Sequence, residues 1–138
     1  MKDQPVGTEA YGLYNAEMKF VGSKVGKPGD REIYIPDLDY PYIAVHNHPD
    51  GMTFSESDVF NFIRYPNLQV QTAVGNSGHV YLLEKSIDFA IADFLKAFQK
   101  IRSDYPHMMD SPKDYEDAMK SFLKRGVDYG INYFEGRP

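Results

Sequence analysis

A change of hydrophobic period divides this chain of 138 residues. Up to residue 84 the apolar residues form short β-prone runs broken by Gly, Pro and Asn; beyond it they recur at helical spacing. Ile87, Ala90, Ile91, Phe94, Leu95, Phe98 and Ile101 follow the i, i+3, i+4, i+7 rule of an amphipathic helix. Tyr115, Ala118, Met119, Phe122 and Leu123 repeat it, with Ser111 as cap, Pro112 as first helical residue and Gly126 as stop. The expected architecture is α/β or α+β: a mixed β-sheet with one inserted helix and two C-terminal helices, in one domain over residues 1–138.

Within the first half, strands are expected at residues 9–14 and 17–21, as a hairpin around Asn15. Further strands are expected at 31–35, ended by Pro36, and at 42–46. Residues 68–74 and 79–83 flank the turn Gly75-Asn76-Ser77-Gly78 and read as a second hairpin. Residues 22–30 hold Gly22, Gly26, Pro28 and Gly29 and read as a loop. The inserted helix starts at an N-cap, Ser55, carries Asp58 in its first turn, buries Val59, Phe60 and Ile63, and ends before Pro66. Residues 127–138 carry no clear pattern.

Composition narrows the chemistry. Hydrophobic residues make up 42%, as a packed globular fold requires. Net charge is −5 with no basic run, a poor footprint for direct nucleic-acid binding. No apolar stretch approaches the ~18–20 residues needed to span a bilayer, and the first residues lack the apolar core of a signal peptide. A cytoplasmic protein without a membrane partner is expected. There is no Cys, so disulfides and Cys-based zinc sites are excluded and a metal must be held by His and carboxylates.

Of four His, two stand together in His46-Asn47-His48-Pro49, followed by Ser55 and Asp58. Two His at i and i+2 of a strand project to one face, and Pro49, lacking an N–H, stops the ladder. A catalytic zinc keeps three protein ligands and an open position, and His46, His48 and Asp58 supply three. Ser55, at the start of the helix that brings Asp58 back, is placed to donate a hydrogen bond to an oxyanion. A general base must lie upstream, among Glu9, Glu17 and Glu32. Alone, Ser-x-x-Asp is an ordinary capping signature and a single His an ordinary strand residue; the combination is specific. His79 reads as an exposed strand residue, and His107 as a loop residue without function. Asp110, Asp114, Glu116 and Asp117 read as a solvated helix start.

His46-Asn47-His48-Pro49 with Ser55-Glu56-Ser57-Asp58 resembles the motif of the JAMM (MPN-plus) zinc metalloproteases, in the His-Asn-His-Pro spelling of the RadC-like, phage-type branch. Glu9-Ala10-Tyr11-Gly12 has the form of the segment that carries the family's Glu, which favours Glu9 as base over Glu17 and Glu32. The spacing from His48 to Asp58 is one residue shorter than the family's commoner spacing, the difference falling in the loop of residues 50–54. The resemblance covers a motif-bearing core at 8–84 and gives no role to a helical extension at 86–126. It implies a JAB/MPN-like fold, a bound Zn2+ and a metal-activated water that cleaves a peptide or isopeptide bond. Glu9 would then be base and Ser55 oxyanion donor, and the partner a protein or peptide, a ubiquitin-like tail included. The alternative it leaves is a non-catalytic scaffold or interaction module of phage or mobile-element origin.

Overall fold

The computed structural model describes residues 9–27, 34–75 and 77–137. Six strands form one mixed sheet in the order β2-β1-β3-β4-β5-β6. They are β1 (Ala10–Asn15), β2 (Phe20–Val25), β3 (Tyr42–His48), β4 (Leu68–Gly75), β5 (Val80–Lys85) and β6 (Ile131–Gly136). Only β3 and β4 pair in parallel, with His46 beside Ala73 and His48 beside Gly75. Parallel neighbours need a crossover, which here is the inserted helix α1 (Glu56–Arg64). The His46–His48 strand end and the start of α1 therefore lie at the same end of the sheet.

Side-chain alternation gives the sheet two unlike faces. One carries Leu13, Ala44, Ala73 and Leu83, all buried; the other carries Val45, Thr72 and Leu82, partly exposed, and Phe134, exposed. The buried face meets the helices: Lys85 sits over the ring of Phe62 in α1, and Tyr81 under Lys120. Phe62, Phe94, Met119, Phe122, Leu123 and Leu83 belong to one hydrophobic core. No helix of the described residues is long and apolar enough to cross a membrane.

Several sequence expectations are corrected. Residues 22–25 are not loop: Gly22, Ser23 and Lys24 pair with Leu13, Gly12 and Tyr11 in β2. Ladder bonds use only the backbone, so a run with little apolar patterning still extends an edge. The second strand starts at Phe20, not residue 17, after a turn in which Met18 takes φ 63. The strand expected at 31–35 falls largely outside the described residues, and Tyr34 and Ile35 have no regular structure. His79 precedes β5; its carbonyl accepts from Gly75 and its ring meets Ser77 Oγ at 2.7 Å.

The helix expected over 87–101 begins later and breaks. Ile87 is fully exposed in a turn where Ser86 Oγ accepts from the Asp88 amide. Two helices follow, α2 (Ile91–Gln99) and α3 (Ile101–Asp104), separated by Lys100 at φ −97, ψ 3. There the chain leaves helical geometry and turns through the bridge region. The last helix, α4 (Pro112–Lys124), is capped as its sequence implies: Ser111 Oγ accepts from the Asp114 amide at 3.0 Å and Pro112 opens the first turn. Gly126 does not stop the chain but sits inside a 3₁₀ turn, Arg125–Tyr129. The left-handed cap is Gly130 (φ 82), where a Cβ would lie 2.6 Å from Asp88 backbone atoms. Residues 131–136, without a clear pattern in sequence, become the sheet edge β6.

Candidate metal centre

Strand alternation and a helix cap build this site. In β3, His46 and His48 project from the same face, and their Nε2 atoms meet at 2.8 Å. Both imidazoles are buried, against Phe54, whose ring centroid lies 6.1 and 6.3 Å from theirs. Asp58 reaches them because it is the third residue of α1 in a complete capping box. Ser55 Oγ accepts from the Asp58 amide at 3.2 Å, and Asp58 Oδ2 accepts from the Ser55 amide at 3.0 Å. That turns the carboxylate back toward the strand end. His48 Nε2 lies 3.1 Å from Asp58 Oδ2, and His46 Nε2 lies 3.8 Å from Asp58 Oδ1.

Three donor atoms thus converge, one from each of His46, His48 and Asp58, all within 4.8 Å of one another. A tetrahedral zinc with bonds near 2.05 Å needs donor–donor edges of about 3.3 Å. The two Nε2 atoms stand 2.8 Å apart, and Asp58 turns Oδ2 to His48 at 3.1 Å and Oδ1 to His46 at 3.8 Å, pairwise separations that lie around that value. The donor chemistry fits as well. His48 Nδ1 lies 2.8 Å from the Met52 carbonyl, which can only accept, so Nδ1 carries the proton and the Nε2 lone pair faces the cluster. His46 Nδ1 is buried without a hydrogen-bond partner among the described residues.

Without a cation these groups perturb one another strongly. Burial pulls His48 down, but the Asp58 hydrogen bond and charge, with the Met52 carbonyl, outweigh it and leave its pKa at about 9. His46 moves the other way, lowered by burial despite Asp58. Burial raises the Asp58 carboxyl, yet the two imidazoles hold it well below the usual carboxylate range. Without a metal, a proton is thus held on His48 against the ionised Asp58, and an ion binding there would have to displace it.

The cluster opens into a cavity of about 300 Å³. Glu9, the residue just before β1, lines it together with His48, Ser55 and Asp58, and its charge acts on the His48 imidazole. Glu17 lies elsewhere, in the turn after Asn15, where its amide bonds Asn15 Oδ1. Tyr42 pairs with Asn15 while His46 pairs with Tyr11, so Glu17 stands at the far end of β1 from the histidines. Glu32 is outside the described residues.

The opposite wall comes from α4, through Pro112, Tyr115 and Glu116. This corrects the reading of Glu116 as solvated. Glu116 Oε2 accepts from the Thr53 amide at 3.3 Å and Oε1 lies 3.0 Å from Lys120 Nζ. Tyr115 Oη accepts from the Glu56 amide at 2.8 Å, and Thr53 Oγ1 meets Tyr133 Oη at 2.7 Å. The loop carrying Met52, Thr53 and Ser55 is thereby tied to α4 and β6. No local sequence signal marks Tyr115 or Glu116 for this role; the first reads as core stripe and the second as helix-start charge. His107 pairs with Asp110 at 3.0 Å on the surface, away from the centre.

Compared with protein-family models, curated proteins and solved structures, the chain matches none.

Proposed function

We propose that this protein is a zinc-dependent hydrolase of JAMM type, on a JAB/MPN-like fold, that cleaves a peptide or isopeptide bond. The observation that carries this reading is the convergence of His46, His48 and Asp58, with His48 and Asp58 lining a cavity that Glu9 and Ser55 also line. His46, His48 and Asp58 would hold the ion. A zinc so held supplies Lewis acidity and makes a water acidic enough to react near neutral pH.

The chain's own residues supply the rest. Glu9 takes the proton from the attacking water and returns it to the departing amine. Ser55 uses its hydroxyl oxygen to accept from the Asp58 amide, and its proton remains available to donate to the oxyanion of the tetrahedral intermediate. Met52 orients His48 through Nδ1, and Phe54 shields both imidazoles from water. Tyr115 and Glu116 form the wall along which a protein or peptide chain would lie.

The test is hydrolysis of a panel of peptide-amide and lysine-isopeptide substrates by the zinc-loaded protein, beside Glu9→Gln. Cleavage that a chelator abolishes, and that falls by about 10²–10⁴ in Glu9→Gln, supports the reading. Full zinc occupancy with no cleavage across the panel would favour a non-catalytic interaction module instead.

A further inference from the structure

Resting on the hydrolase reading above, we infer that Asn47, the residue between the two histidines, is the positioning residue for Glu9. Alternation turns its side chain away from the imidazoles, and it is completely buried. The β1–β3 ladder ends at the pair Tyr11–His46. One residue further out, the Asn47 side-chain oxygen accepts a short hydrogen bond from the Ala10 amide. On the other side of β1, the Glu9 carbonyl accepts from the Gly26 amide at 2.7 Å. The single peptide bond joining Glu9 to Ala10 is therefore held at both its polar groups, its N–H by β3 and its C=O by the residue after β2.

That clamp matters because of where Glu9 stands. It stands just before β1 and lines the cavity with His48. A strand end outside its ladder frays readily, and a base displaced by about 1 Å loses on the order of 10² in rate. Asn47 meets this need with one side chain. Because it lies in the same three residues as both histidines, the distance from Glu9 to the metal-binding face is set within one rigid strand. An amide at this position is chemically apt: it offers an acceptor oxygen without placing a charge at a fully buried position.

The experiment compares wild type, Asn47→Ser and Asn47→Asp; the serine is too short to reach Ala10, and the aspartate retains an acceptor oxygen. Hydrogen exchange at the Ala10 amide is measured by NMR in the metal-free protein, with Leu13 as mid-strand control. Co2+ is then titrated as metal probe, and kcat and KM are read on whichever amide the wild type cleaves. The clamp predicts at least tenfold faster exchange at Ala10 in Asn47→Ser, with Leu13 unchanged and Co2+ stoichiometry retained. It also predicts a kcat fall of about 10–100-fold at constant KM, with exchange protection restored in Asn47→Asp. Unchanged Ala10 exchange, or unchanged kcat in Asn47→Ser, would overturn the inference. Failure of the wild type to bind Co2+ would instead overturn the metal reading beneath it, and the two are told apart because Ala10 exchange needs no metal.

Discussion

Gly75→Ala separates packing at the metal centre from strand propensity. Gly75 ends β4 beside His48, and a Cβ built there would lie 2.9 Å from the Gly51 Cα. Ordinary contact begins near 3.4 Å, so the Gly51 turn would have to move by about 0.5 Å. That turn is tight: the Gly51 amide donates to the His48 carbonyl at 2.9 Å, and Gly51 itself takes φ 73. The next residue, Met52, holds His48 Nδ1 through its carbonyl. Two effects oppose each other. Gly75 has no positive φ, so replacing it by Ala stabilises through the unfolded chain by about 0.4–1 kcal/mol. Overpacking against backbone costs about 1–3 kcal/mol and outweighs that gain. A net loss of about 1–2 kcal/mol is expected by urea unfolding. Loosening the Met52–His48 bond should also weaken zinc by about 10–100-fold in a chelator competition. A Gly75→Ala protein as stable as wild type, with unaltered zinc affinity, would refute the claim that this turn sets the orientation of His48.

Other perturbations report on separate parts of the site. Asp58→Asn should abolish stoichiometric zinc in elemental analysis; an amide oxygen can still cap the Ser55 amide, but breaking the buried His48–Asp58 pair should cost more than the ~1 kcal/mol of a lost cap by urea unfolding. Ser55→Ala should lose about 1 kcal/mol as an N-cap and, read as kcat on a cleaved amide, about 10²–10³ as an oxyanion donor. Lys85 is held by the Tyr65 carbonyl at 2.6 Å, and burial depresses its pKa to about 8. The unfolded chain binds this proton up to its normal pKa of about 10.4. The penalty is therefore fully present below pH 8, and stability should rise from pH 8 to 10. Urea midpoints across that range should rise less in Lys85→Met; equal slopes would contradict the assignment.

The metal group was legible in sequence because each part of it is local. His46 and His48 need only the alternation of one strand, and Asp58 needs only the three-residue span of a capping box, with Ser55 as its other half. Their meeting follows from one short crossover between parallel neighbours. The cavity's other wall was not legible, since Tyr115 and Glu116 follow about sixty residues later and touch the loop through contacts no periodicity encodes. Edge strands are weakly marked in sequence for a related reason. In β2 nearly every residue is exposed, so no apolar alternation betrays it. In β6 only Ile131 is fully buried. Asn47 shows a further limit: its spacing between the histidines is plain in sequence, but its bond to Ala10 depends on how β1 pairs with β3.

Zinc content per chain, measured by elemental analysis on wild type and His48→Ala after reconstitution and exhaustive dialysis, tests the central claim most directly. About one zinc per wild-type chain, lost in His48→Ala, is the predicted result. No zinc in the wild type, or equal zinc in both proteins, would contradict a metal centre built from His46, His48 and Asp58.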